Sequence, residues 1–132
     1  MLLYNFQKAV YAALDADATL KAAAGIYDYV PEGKGLPFVV IGDDRATEYR
    51  TKTYDGWEIT TEIVLWDGAR GCLSTKQILG YIEADLAKDL TFGGQKFDFF
   101  RVENMSVQKM QSAQNDVLVR GSITLVYREY HV

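Results

Sequence analysis

Between Trp57 and Leu65 the chain alternates with a period of two, and no other segment narrows its fold as far. Trp57, Ile59, Ile63 and Leu65 share one face with Thr61, while Glu58, Thr60 and Glu62 occupy the other. That is the pattern of a half-buried strand. The turn signal YDGW pairs it with the segment before it, Ala46–Thr53, which has strand composition but no oily side. One face of that segment carries Ala46, Glu48, Arg50 and Lys52, the other Thr47, Tyr49, Thr51 and Thr53. Two readings account for a strand of this kind. It is a solvated edge hairpin, charged to prevent aggregation, or an arm whose burial is completed by another chain. Tyr49 and Tyr54, beside Arg50, are of the residue types enriched at protein interfaces.

The remaining elements follow from periodicity. Leu3, Phe6, Val10 and Leu14 recur at helical spacing and predict an amphipathic helix over residues 2–15. DADATLKAAAG then reads as a short second helical segment, with Asp17 as its N-cap and Gly25 as its stop. IYDYV is a short strand ended by Pro31, PEGKGLP a loop, and FVVIG a buried strand. After the loop GARGC, Ser74 with Gln77 has capping-box spacing. Ile78, Leu79, Ile82, Leu86 and Leu90 form the apolar stripe of a helix over residues 75–90. FGGQ turns the chain into KFDFFRVENM, where Phe97, Phe99 and Phe100 are expected in the core. A long final strand places Val117, Val119, Ile123, Leu125 and Tyr127 on one face. The expected fold is α+β: two main helices packed on an antiparallel or mixed β-sheet, in one domain over residues 1–132, with a protruding polar hairpin.

Composition and motifs exclude more than they select. The 132 residues carry a formal charge of −4, which argues against nonspecific duplex DNA binding through many phosphate contacts. No apolar run approaches the ~20 residues of a membrane span, and MLLYNFQKAV lacks the basic and apolar regions of a signal peptide. His131 is the sole histidine and Cys72 the sole cysteine. A triad or zinc site would therefore depend on the terminal histidine. EGKG precedes a proline and a strand, not the helix N-terminus a phosphate loop needs. Asp43 and Asp44 follow a buried strand but read as a solvated turn, because no further ligand set accompanies them. No cofactor and no catalytic residue is expected.

Four phrases, taken together, carry a family resemblance: FQKAVYAALDADATLKAAAG, IYDYVPEGKGLPFVVIGDD, RTKTYDGWEITTEIVLWDGARG and STKQILGYIEADLAKDL. In this order, from Phe6 to about Tyr127, the chain resembles the tail-completion or tail-terminator proteins of long-tailed bacteriophages and of phage-derived gene transfer agents. The resemblance implies a structural virion protein made in the bacterial cytoplasm and placed at the head–tail junction. Its copies would form a ring, usually a hexamer, that caps the tail tube, stops its polymerisation and meets the head-side connector. DNA would pass through that ring, and an acidic lumen would repel its phosphates. The interface candidates are Asp43, Asp44, Arg45, Tyr49, Arg50, Lys52 and Tyr54 of the hairpin, with Arg70 of the GARGC loop. Other readings are a head–tail adaptor or minor tail protein of the same particle, an interaction module of the host, and a small ligand-binding or enzymatic domain using Asp43, Asp44 and GARGC.

Overall fold

The computed structural model describes residues 1–68, 72–111 and 117–131. Its elements, in chain order, are α1 (Leu2–Asp15), α2 (Ala18–Ala23), β1 (Gly25–Tyr27), β2 (Phe38–Arg50), β3 (Asp55–Gly68), α3 (Leu73–Leu86), β4 (Leu90–Phe92), β5 (Gln95–Gln111) and β6 (Val117–His131). The fold is mixed α and β. One six-stranded sheet has the order β1-β2-β3-β6-β5-β4. β1 runs parallel to β2, and every other pairing is antiparallel.

β3 shows why the alternation was so informative. Ile59, Thr61, Ile63, Leu65 and Asp67 are buried on one face, and the residues between them from Glu58 to Trp66 are half-buried. The buried face meets Phe6, Val10 and Leu14 of α1 and Ile78, Ile82 and Leu86 of α3 in a single core. Leu3 does not join that stripe: it is 40% exposed, and Ala9 is buried beside Val10 in its place.

Tyr127 ties the layers together. It is fully buried, and its hydroxyl donates to the carbonyl of Leu86 at the end of α3. Its ring makes edge contacts with Phe6 of α1 at 5.1 Å and Phe99 of β5 at 5.7 Å, and Phe6 meets Phe97 at 5.2 Å. Burial pushes the phenol's pKa upward, so it stays a donor to a carbonyl that the helix itself leaves unpaired.

Several expectations need correction. FVVIG and the polar segment after it form one strand, β2, with a register shift between Val40 and Asp43. Asp43 and Asp44 are therefore strand residues paired with Glu62 and Thr61, not a turn. The hairpin does not protrude alone, because β6 flanks β3 as far as Asp55, opposite His131. The helix expected over residues 75–90 ends at Leu86. Leu90 starts β4, where it pairs with Phe97 and stays buried, so its apolar contact is a strand contact. Ser74 does not cap α3. Its hydroxyl donates to Asp67 (2.9 Å), which also accepts from the buried Thr75 hydroxyl and the Gly68 N–H. Gly25 opens β1 instead of closing α2, whose C-cap is the extended Ala24. Phe100 is 42% exposed and outside the core.

Three glycines read as turn signals fall into two cases. Gly93 and Gly94, at φ 62° and 80°, form the two-residue turn between β4 and β5 that demands positive φ. Gly56 lies within β3, and a Cβ there would meet the Glu129 carbonyl oxygen of β6 at 2.0 Å. Close approach of backbones, not turn geometry, selects that glycine.

Asp17 caps α2 by accepting from the Leu20 N–H at 3.1 Å, and it also meets Asp85 of α3. Burial, then the hydrogen bond and charge of Asp17, raise Asp85 from 3.8 to about 6. The Leu20 N–H, then the hydrogen bond with Asp85, lower Asp17. The opposite directions place the proton on Asp85 beside an ionised Asp17, so the two carboxyls titrate as a pair. Between pH ~4 and ~6 the folded state keeps a proton that the unfolded state has released, so Asp85 makes stability fall as pH rises through that window. Asp85→Asn keeps a permanent donor to Asp17. Allowing for screening by water at this half-buried site, it should stabilise the fold by on the order of 1 kcal/mol above pH 7 and by little at pH 4.5. Thermal melts of both proteins across pH 4.5–8 check this, and a gain that is the same at both ends contradicts it.

Candidate functional site

The helices lie on one face of the sheet. Phe6 of α1 contacts Tyr127, and a Cβ on Gly121 of β6 would meet Thr75 and Leu79 of α3 at 3.0 and 3.1 Å. No described helix covers the other face. That face carries Arg45, Thr47 and Tyr49 from β2 and Glu58, Thr60 and Glu62 from β3. Register and the alternation of side chains add Arg120, Arg128 and Tyr130 of β6, and Phe100 of β5, at a register shift, joins them through its contact with Arg128.

The question posed by the oil-free strand has a partial answer here. Tyr49 packs on Tyr130 at 6.2 Å, and Tyr54 on the same ring at 5.2 Å. The Arg128 guanidinium lies between the Tyr49 ring (4.2 Å) and the Phe100 ring (3.7 Å) and donates to Glu58 at 3.2 Å. Further along, Arg120 pairs with Glu62 at 3.6 Å and lies over Trp66, while Ser122 donates to the same Glu62. The polar face of the hairpin is thus built against β6 by stacked planes and paired charges, not by aliphatic burial. Arg128 and Tyr130 were missed in the sequence. Their signal was the same two-residue period on the far side of β6, beside Tyr127 and Glu129, and it needed the β3–β6 register to be interpreted.

The remaining candidates are distributed around the hairpin. Thr51 shapes the turn: its hydroxyl accepts from the N–H groups of Tyr54 (2.8 Å) and Thr53 (3.2 Å), and its own N–H donates to the Tyr54 carbonyl. Arg50 pairs with Asp55 at 3.3 Å and Glu48 at 3.5 Å, all three exposed. Arg45, Lys52 and Asp43 are exposed, and Tyr54 is 50% exposed. Asp44 points to the helix side, where it accepts from the Thr61 hydroxyl at 2.6 Å. Burial raises its pKa, the Thr61 bond opposes that, and the charge of Asp43 adds to it. Asp43 and Asp44 therefore face opposite ways and cannot converge on one ion. Among the described residues no group of three or more His, Cys, Asp or Glu is placed to hold a metal. Arg70 lies outside the described residues.

A groove of about 670 Å³ opens between α1, β1 and β2, lined by Tyr4, Tyr11, Tyr27 and Asp44, with Gln7 and Asp28 hydrogen-bonded to each other across it. Its walls are mainly aromatic and aliphatic. Among the described residues considered for an enzymatic site Asp44 lines it, and neither Asp43 nor Cys72 does.

Against this geometry the comparisons are informative. The family described as "Tail completion protein gp17" matches residues 8–121. The chain belongs to that family. As a tail completion protein it shares its fold with a chain of a solved structure described as "Virion of native gene transfer agent (GTA) particle". The two are 24% identical, with a TM-score of 0.74 over 95% of this chain and 94% of the other. No curated protein sequence matches it.

The stacked face gives a direct test. Arg128→Ala removes both ring contacts and leaves Glu58 without its partner, so it should cost about 1–2 kcal/mol. Arg128→Lys keeps the charge but not the plane and should recover less than half of that. Urea titrations of the three proteins measure it, and a lysine variant as stable as the parent would show that charge alone matters here.

Proposed function

We infer that this tail completion protein is a terminator: copies of it form a ring, in keeping with the hexamers of the family it resembles, which caps a finished tail tube. The ring halts tube polymerisation and presents a face to the head-side connector. The observation that carries this reading is membership of the tail completion family across residues 8–121. The fold shared with a gene transfer agent virion chain is consistent with it. The hairpin supports it chemically. Asp43, Arg45, Arg50, Lys52 and Tyr54 set charge of both signs and an amphipathic ring on the surface. Single exposed ion pairs are worth only ~0–1 kcal/mol, but a rigid ring makes many at once and they act together.

The uncovered sheet face suits a ring that DNA crosses. Two of its arginines are held by glutamates, Arg128 by Glu58 and Arg120 by Glu62. Cations neutralised in this way attract phosphate weakly, and the net charge of −4 acts in the same direction.

Deleting the gene in a particle-producing strain tests the reading by electron microscopy. The expected result is filled heads without tails, together with tails of uncontrolled length. Tails of normal length that fail to attach would assign the protein to an adaptor position instead.

A further inference from the structure

The sheet ends in two long strand edges that are almost bare. β1 covers β2 only at Phe38–Val40. Among the described residues no strand pairs with the outer side of β2 from Asp43 to Arg50. On the opposite side of the sheet, β4 covers β5 only at Gln95–Phe97, and the Phe99 N–H goes to the Asp89 carboxylate. From Phe100 to Met110 no described strand pairs with the outer side of β5. Natural edges of this length are usually blunted by charge or bulges. The two register shifts in β5 lie at Phe99/Arg101 and Val102/Asn104, so the strand beyond Asn104 is regular. Its stretch from Asn104 to Met110 carries one charged side chain, Lys109, and leaves Met105 and Met110 47% and 41% exposed.

We propose that the open edge of β5, Asn104–Met110, pairs with the open edge of β2, Asp43–Tyr49, of the next copy of this chain, so that the ring is closed by backbone hydrogen bonds through one continuous sheet. This rests on the ring reading above and names its contact. Strand direction supports it. The four long strands β2, β3, β6 and β5 alternate in direction. Four is even, so a neighbour placed by rotation brings β2 antiparallel to β5, and the alternation continues unbroken. The two edges are unlike and lie on opposite sides, which gives a heterologous contact able to close a ring.

The short strands fix the offset. At equal height, Asn104 lies level with Asp43 through the ladder Asn104↔Thr124, Glu62↔Thr124 and Asp43↔Glu62. The rest of the β5 edge would then collide with the neighbour's β1. Sliding the neighbour by roughly six residues, ~20 Å, clears both β1 and β4. Four strands at ~4.8 Å span ~19 Å, so this stagger corresponds to a tilt of about 45°, at the upper end of the tilts found in closed sheets. Matching the helix-free faces of the two copies then sets Thr47 against Ser106 and Arg45 against Gln108.

The test uses particles from a strain carrying Cys72→Ser with Thr47→Cys and Ser106→Cys, treated with an oxidant and with a short bismaleimide. A second set carries Arg45→Cys and Gln108→Cys. The expected result is a ladder of linked copies from both double variants. Thr47→Cys or Ser106→Cys alone should give no linked product. Links between like edges, or unlinked protein in both sets of particles, would overturn the edge pairing. If unlinked protein still accompanies tails of normal length, the terminator reading survives and only its contact fails. If the full ladder forms while tail length is uncontrolled, the pairing survives and the terminator reading fails.

Discussion

The two layers meet through one apolar core, and at its centre the Tyr127 hydroxyl donates to the last carbonyl of α3. The end of a helix leaves its carbonyls without partners, and a buried one needs a donor from elsewhere. Tyr127 supplies it from the middle of the sheet, and its ring simultaneously fixes Phe6 of α1 and Phe99 of β5. The end of α3, α1 and β5 all contact that one side chain. Both long helices pack on the side to which Tyr127 points, and no described helix covers the other face.

What the sequence disclosed was what one buried face imposes. β3, β6 and α1 were legible because burial on one side writes a period of two or of 3.6 into the chain. The errors occurred where a distant residue intervened. Ser74 has the spacing of a cap, but Asp67 takes its hydroxyl. Leu90 continues a helical stripe, yet its buried contact is made across a strand pair with Phe97. Phe100 looks like core until the irregularity at Phe99/Arg101 turns it outward onto Arg128.

The hairpin was the hardest part to interpret, for a physical reason. Its residues are polar on both faces, so period two says that it is a strand but not which side matters. The structure distinguishes the sides through β6. Tyr49 and Tyr54 stack with Tyr130, and Arg128 is gripped between two rings, so these side chains already have partners within the chain. The backbone edge from Asp43 to Arg50 has no strand partner among the described residues. Charge on both faces allowed an edge strand as one of two readings, and the sheet order shows that β2 is one from Asp43 to Arg50.

Family membership, a sheet with an even number of long alternating strands, and two edge segments that no described strand pairs with converge on assembly as the use of this fold. Amide hydrogen exchange measured on the free protein and on purified particles probes that directly. The account predicts that the outward-pointing amides of Asp43–Tyr49 and Asn104–Met110, every second one along each strand, exchange quickly in the free chain and become protected in the particle, while the core of β3 is protected in both. Equal exchange of the two edges in free and assembled protein would contradict it.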